Sequence, residues 1–74
     1  MSVLPRVSGR DVVRALSKTG WHLDHQTGSH MVLRQAVPPH RRLVVPDHKE
    51  VAKGTMRKII WDAGMTGDEF HGLF

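Results

Sequence analysis

Two spacings of apolar residues divide the chain. Val12, Val13 and Leu16, with Ala15 at their edge, recur as one face of a helix. Met56, Ile59, Ile60 and Ala63 follow the i, i+3, i+4, i+7 rule and form a second helical stripe. Between these segments the period falls to two. Trp21-His22-Leu23-Asp24-His25 and His30-Met31-Val32-Leu33-Arg34 alternate as half-buried strands do. Arg42 to Val45 reads as a third short strand, closed by Pro46.

The boundaries carry matching local chemistry. Val3 to Val7, interrupted by Pro5, is an extended lead-in. Ser8 is an N-cap, Asp11 completes a capping box, and Val7 with Val12 makes a hydrophobic staple. That helix runs to about Thr19, with Gly20 as the residue that ends it. The loop from Ala36 to Arg41 contains Pro38-Pro39, and Asp47 to Lys53 is a polar connection carrying His48. Thr55 is the expected cap of the second helix and Gly64 its end. Thr66 with Glu69 caps a short last helix, with Met65 and Phe70 as its staple. Phe70, Leu73 and Phe74 are expected to dock on the core, the alternative being a contact with a partner.

The order is α-β-β-β-α plus a terminal helical turn. This is an α+β fold, a three-stranded antiparallel sheet with helices packed on one face. Register then decides what the other face carries. A two-residue loop, Thr27-Gly28, would pair Leu23 with Val32 and Asp24 with Met31. A three-residue loop, Gln26-Thr27-Gly28, pairs Leu23 with Met31 and Trp21 with Leu33. The second gathers the apolar residues on one face and is the expected register. It leaves His22, Asp24, His30, Val32 and Arg34 on the open face, with His30 opposite Asp24.

Seventy-four residues make one domain, spanning 1–74. No apolar run approaches the roughly 20 residues that span a bilayer, and Met1 to Arg10 has no secretory apolar segment. With no cysteine, these features point to a cytoplasmic protein without a membrane partner. Eleven Lys and Arg oppose seven Asp and Glu, for a formal charge of +4. That excess suits a polyanion such as nucleic acid, or an acidic protein that masks the same surface. Arg10, Arg14 and Lys18 share one helical face, which reads as a solvated stripe rather than an RNA contact.

Six histidines are the remaining chemistry. Their spacings match no standard zinc pattern, so no metal site is assigned. His30 follows Gly28-Ser29 at the hairpin tip, where Gly28 supplies the positive φ of the turn. An imidazole there, on a basic face, suits proton transfer. Ser29, Arg34, Arg42, Lys53, Arg57 and Lys58 are candidate phosphate contacts. His48 is a candidate second proton-transfer group, its alternative being a capping or surface role. His25 would sit beside the turn and ranks behind His48. His22, His40 and His71 are expected to face solvent, and Trp21 and Trp61 to lie in the core and at its edge.

Several fragments in order resemble one family. They are Gly28-Ser29-His30, Val45-Pro46-Asp47-His48, Gly54-Thr55-Met56-Arg57-Lys58-Ile59-Ile60, Asp62-Ala63-Gly64-Met65 and Glu69-Phe70. The lead-in Leu4-Pro5-Arg6-Val7-Ser8-Gly9-Arg10-Asp11 and Leu16…Gly20-Trp21 add to them. Together they resemble the HicA toxins of type II toxin-antitoxin systems over nearly the whole chain. The resemblance implies a fold like the double-stranded-RNA-binding domain and endoribonuclease cleavage of mRNA by the motif histidine, here His30. It also implies a neutralising HicB-type antitoxin. Met31 departs from the family, where a polar or aromatic residue usually follows the histidine; the register makes Met31 a core residue. The ribose 2′-OH is the nucleophile of such cleavage, so the route needs neither metal nor cofactor. The alternative is a non-catalytic RNA-binding module of the same fold.

Overall fold

Ser8 opens the first helix through the capping box its sequence predicts. Its hydroxyl accepts from the Asp11 amide at 3.1 Å, and its own amide donates to the Asp11 carboxylate. Helix α1 (Gly9–Leu16) follows, and a 3₁₀ turn (Ser17–Thr19) delivers the chain to Gly20 at φ 88°. Strands β1 (Trp21–Thr27), β2 (His30–Gln35) and β3 (Arg42–Pro46) form an antiparallel sheet in the order β1-β2-β3. Helices α2 (Lys53–Asp62) and α3 (Gly67–His71) complete the chain. The computed structural model describes residues 6–74; the first three residues of the expected Val3–Val7 lead-in lie outside them.

Both long helices cover one face of the sheet. Val12 and Leu16 of α1 and Met56, Ile59 and Ile60 of α2 join Met31, Leu33, Leu43 and Val45 in a single core. Trp21 and Phe70 are buried in it, as expected, and Met31 lies in it too. Val7, Val13, Met65 and Leu73 pack against its rim, while Phe74 stays half exposed and meets Phe70 edge-on. This is the α-β-β-β-α architecture of a double-stranded-RNA-binding-like domain. No helix of the described residues is long and apolar enough to cross a membrane.

Three local expectations are corrected. The cap of α2 is Ala52, three residues before Thr55, and no side chain bonds it. The loop before it is held by its backbone instead, where the Val51 amide donates to the Val7 carbonyl and the Val51 side chain is buried. Trp61 is 83 % exposed rather than at the core edge. Its neighbours Ile59 and Ile60 take the sheet-facing stripe, and one further helical step turns Trp61 away.

The third correction is the hairpin register. The turn is Gly28-Ser29, with His30 paired to Thr27 and Leu23 to Leu33. Gly28 has φ 57° and Ser29 a negative φ, the pattern of a type II′ hairpin turn. Pairing in register from this turn would send Leu23 to the wrong face. A β-bulge between Leu23 and His25 absorbs the difference, with Asp24 as its extra residue. His30 is therefore opposite Thr27, not Asp24.

Helix α1 meets the sheet at an unusually close point. The Gly9 amide donates to the His48 carbonyl at 2.9 Å, and a Cβ on Gly9 would overlap the Pro46 carbonyl oxygen. Replacing an open helical glycine by alanine normally stabilises by about 0.5–1 kcal/mol. Here the overlap with rigid backbone reverses the sign, because overpacking costs about 1–3 kcal/mol. Gly9→Ala is expected to lower the urea midpoint of the full chain; an unchanged or raised midpoint would show that α1 can move off β3.

Candidate active site

Alternation on β2 sends Met31 and Leu33 inward and leaves His30, Val32 and Arg34 on the face without helices. Their β3 partners are Pro46, Val44 and Arg42, and their β1 partners are Thr27, His25 and His22. The open face thus carries three cross-strand rows. His30 sits in the row nearest the turn, and the Arg34–Arg42 pair two rows away. His25, Thr27, His30, Val32, Arg42 and Val44 line a shallow depression of about 430 Å³. Val32 forms its floor and is only 4 % exposed although it faces away from the core.

His30 is exposed, and its ring makes no hydrogen bond to any described residue. The backbone around it is held far more tightly. The Asp47 amide donates to the Ser29 carbonyl at 2.7 Å. Gln26 Nε2 donates to the Gly28 carbonyl and to Asp47 Oδ2, both at 3.0 Å. Arg10 donates from Nε and Nη2 to the two Asp47 oxygens at 3.2 and 3.3 Å. These bonds from Arg10 first, and Gln26 next, hold the Asp47 carboxyl below its ordinary range. Asp47 therefore ties the turn before His30 to β3 and α1. The sequence alone assigns Asp47 no role beyond membership of the Val45-Pro46-Asp47-His48 fragment, and it places Gln26 in the hairpin loop. Gln26 lies instead in β1, where its side chain reaches Asp47.

The bulge residue Asp24 reaches the open face. Its Oδ2 lies 2.7 Å from His25 Nδ1 and 3.6 Å from Arg34 Nε. The hydrogen bond to His25 is the main cause of its lowered pKa, with Arg34 and His22 adding to it. Arg42 makes no ion pair with any described residue and stands on the wall of the depression. Ser29 lies in the turn itself.

The other predicted residues are more distant in the architecture. Lys53, Arg57 and Lys58 are exposed on α2, which covers the opposite face of the sheet from His30, and Lys58 pairs with Asp62 at 2.9 Å. His48 is exposed in the loop after β3, does not line the depression, and uses its carbonyl to hold Gly9. The stripe Arg10, Arg14 and Lys18 is engaged structurally: Arg10 on Asp47, Arg14 on Asp11 and Lys18 on the Leu73 carbonyl. Among the described residues no three His, Cys, Asp or Glu side chains converge as a metal set would.

Residues 9–65 match the family described as HicA toxin of bacterial toxin-antitoxin. No curated protein matches the chain.

Asp47 gives a pH-dependent readout of the clamp on the turn. A carboxylate whose folded pKa lies below its unfolded value of about 3.8 stabilises the fold above that pH, and the contribution disappears as pH falls through the folded value. Asp47→Asn is expected to be less stable than the parent at pH 7, with the gap in urea midpoint closing below about pH 4. A gap that stays constant through that window would mean that the carboxylate charge does not hold the turn.

Proposed function

The chain belongs to the HicA toxin family, and we propose that it is a metal-independent endoribonuclease toxin that cleaves mRNA through His30. The observation that carries this reading is the placement of His30: exposed, free of side-chain bonds, and above a depression walled by Arg42. Cleavage of RNA begins with removal of the 2′-OH proton. The ribose oxygen then attacks phosphorus, and the 5′ oxygen leaves with a proton. An imidazole titrating near neutral pH serves as general base or acid in such a step, typically contributing about 10²–10⁴-fold. Arg42 and Arg34 share the face of His30 and supply cations for the charge that develops on the phosphorane. Ser29, in the turn, offers a hydroxyl beside the same phosphate. Lys53, Arg57 and Lys58 lie on α2, behind the sheet from His30, and serve only as backbone contacts for RNA that passes beyond the open face.

A toxin of this family is paired with an antitoxin that neutralises it. We assign that role to a HicB-type protein covering His30 and its basic rim. The substrate ribose carries its own nucleophile, so chelator is expected to leave the reaction intact.

The test is incubation of the purified full chain with a defined mRNA in chelator. Wild type is expected to cut, and His30→Ala to cut about 10²–10⁴-fold more slowly while keeping its circular dichroism and melting temperature. A His30→Ala protein as active as wild type overturns the assignment. RNA that wild type retains but never cuts would favour the non-catalytic RNA-binding module of the same fold. Arg42→Ala is expected to weaken RNA retention at low salt and to reduce the slope of log affinity against log salt by about one. An unchanged slope would remove Arg42 from the phosphate contacts.

A further inference from the structure

We propose that His25 is the second proton-transfer residue of this site, acting on the leaving-group side of the phosphodiester while His30 acts on the 2′-OH. The inference rests on the RNA-cleavage reading above and goes beyond it by naming the partner of His30.

The bulge is the first observation. In strict alternation from Leu23, His25 would face the helices. The extra residue Asp24 reverses this and turns His25 toward the open face, opposite Val32. Since Thr27 pairs with His30 and His25 with Val32, the two histidines are diagonal neighbours across β1 and β2. Diagonal positions lie about 7–8 Å apart. Both rings line the same depression, with Arg42 on its wall. A catalytic imidazole works within about 2.6–3.2 Å of the oxygen it serves. A phosphate bridging the two rings therefore fits the diagonal.

The second observation is the contact from Asp24. An ionised carboxylate only accepts, so the 2.7 Å contact places the proton on Nδ1 of His25 and leaves Nε2 for the substrate. Asp24 is also the counter-ion for an imidazolium, the form in which a general acid begins its step. Arg34 and His22 are the other charged or titratable groups facing that carboxylate. Asp24 is thus a positioning residue. His48, the candidate named from sequence, does not line the depression.

The step balances without any co-reactant. His30 takes the 2′-OH proton, the O2′–P bond forms, and the P–O5′ bond breaks. His25 delivers its Nε2 proton to O5′. The products are a 2′,3′-cyclic phosphate and a 5′-hydroxyl, with His30 protonated and His25 neutral until water exchanges the two protons.

The test compares two substrates cut by the full-length chain. The first is a short RNA whose cleavage position has been mapped. The second is the same RNA with sulfur in place of the leaving 5′ oxygen there, a leaving group that departs without a proton. His25→Ala is expected to slow the oxygen substrate by about 10²–10⁴-fold and the sulfur substrate by less than about tenfold. Asp24→Asn is expected to show the same split at smaller amplitude, and His30→Ala to slow both substrates alike. Circular dichroism of each variant confirms the fold. His25→Ala cutting the oxygen substrate like wild type overturns the inference, as does equal loss on both substrates. His48→Ala producing the split instead would give the role to His48. Full activity in His30→Ala, or a wild type that cuts neither RNA, defeats the underlying reading, and the inference falls with it.

Discussion

Asp47 is the residue on which the geometry of the open face depends. Its amide holds the Ser29 carbonyl, and its carboxylate receives Arg10 from α1 and Gln26 from β1. An exposed ion pair contributes little to stability as a rule. What this one supplies is position, because three elements of different sequence origin meet at a single carboxylate. His30 is the next residue after Ser29, so the direction of its side chain is inherited from that meeting point. The close approach of Gly9 to Pro46 brings Arg10 within reach of Asp47. A site held in this way is preorganised by its backbone rather than by contacts to the imidazole, which stays available.

The bulge at Asp24 resolves a conflict between two demands on the hairpin. The two-residue turn at Gly28-Ser29 pairs Gln26 with Met31 near the tip. At the base Leu23 faces the helix side opposite Leu33, although it stays 46 % exposed, and Trp21 is the residue of β1 that is buried. Both hold only if β1 carries one extra residue between them. That insertion sends His25 outward, beside His30, and leaves Asp24 able to reach both His25 and Arg34. The face therefore combines three imidazoles (His22, His25 and His30), two arginines and one carboxylate over an apolar floor, Val32.

Features of short range were legible in the chain. Both capping boxes follow from side chains three residues apart, Ser8 with Asp11 and Thr66 with Glu69. The left-handed conformations at Gly20, Gly28 and Gly64 follow from the absence of Cβ where the chain must turn. Trp61 misled because a large apolar ring at the edge of a helical stripe looks buried in projection, whereas the stripe packed on the sheet is only as wide as Met56, Ile59 and Ile60. Thr55 misled because a good capping side chain does not fix where a helix begins. The Val7 carbonyl, which holds the preceding loop at Val51, lies forty-four residues earlier.

The amino-acid order alone determined the identity and succession of the elements, the single helical cover, the family, and the exposure of a histidine beside Gly28-Ser29. Each of these rests on periods, caps and turn residues that act within a few positions of one another. Register was decided only in three dimensions. A shift of one residue exchanges the faces of a strand, and the choice depends on partners far along the chain: Leu33 for Leu23, Asp47 for Ser29, and Arg10 for Asp47. The joint placement of His25 and His30 on one face comes from that choice, because strict alternation along β1 assigns His25 to the opposite side.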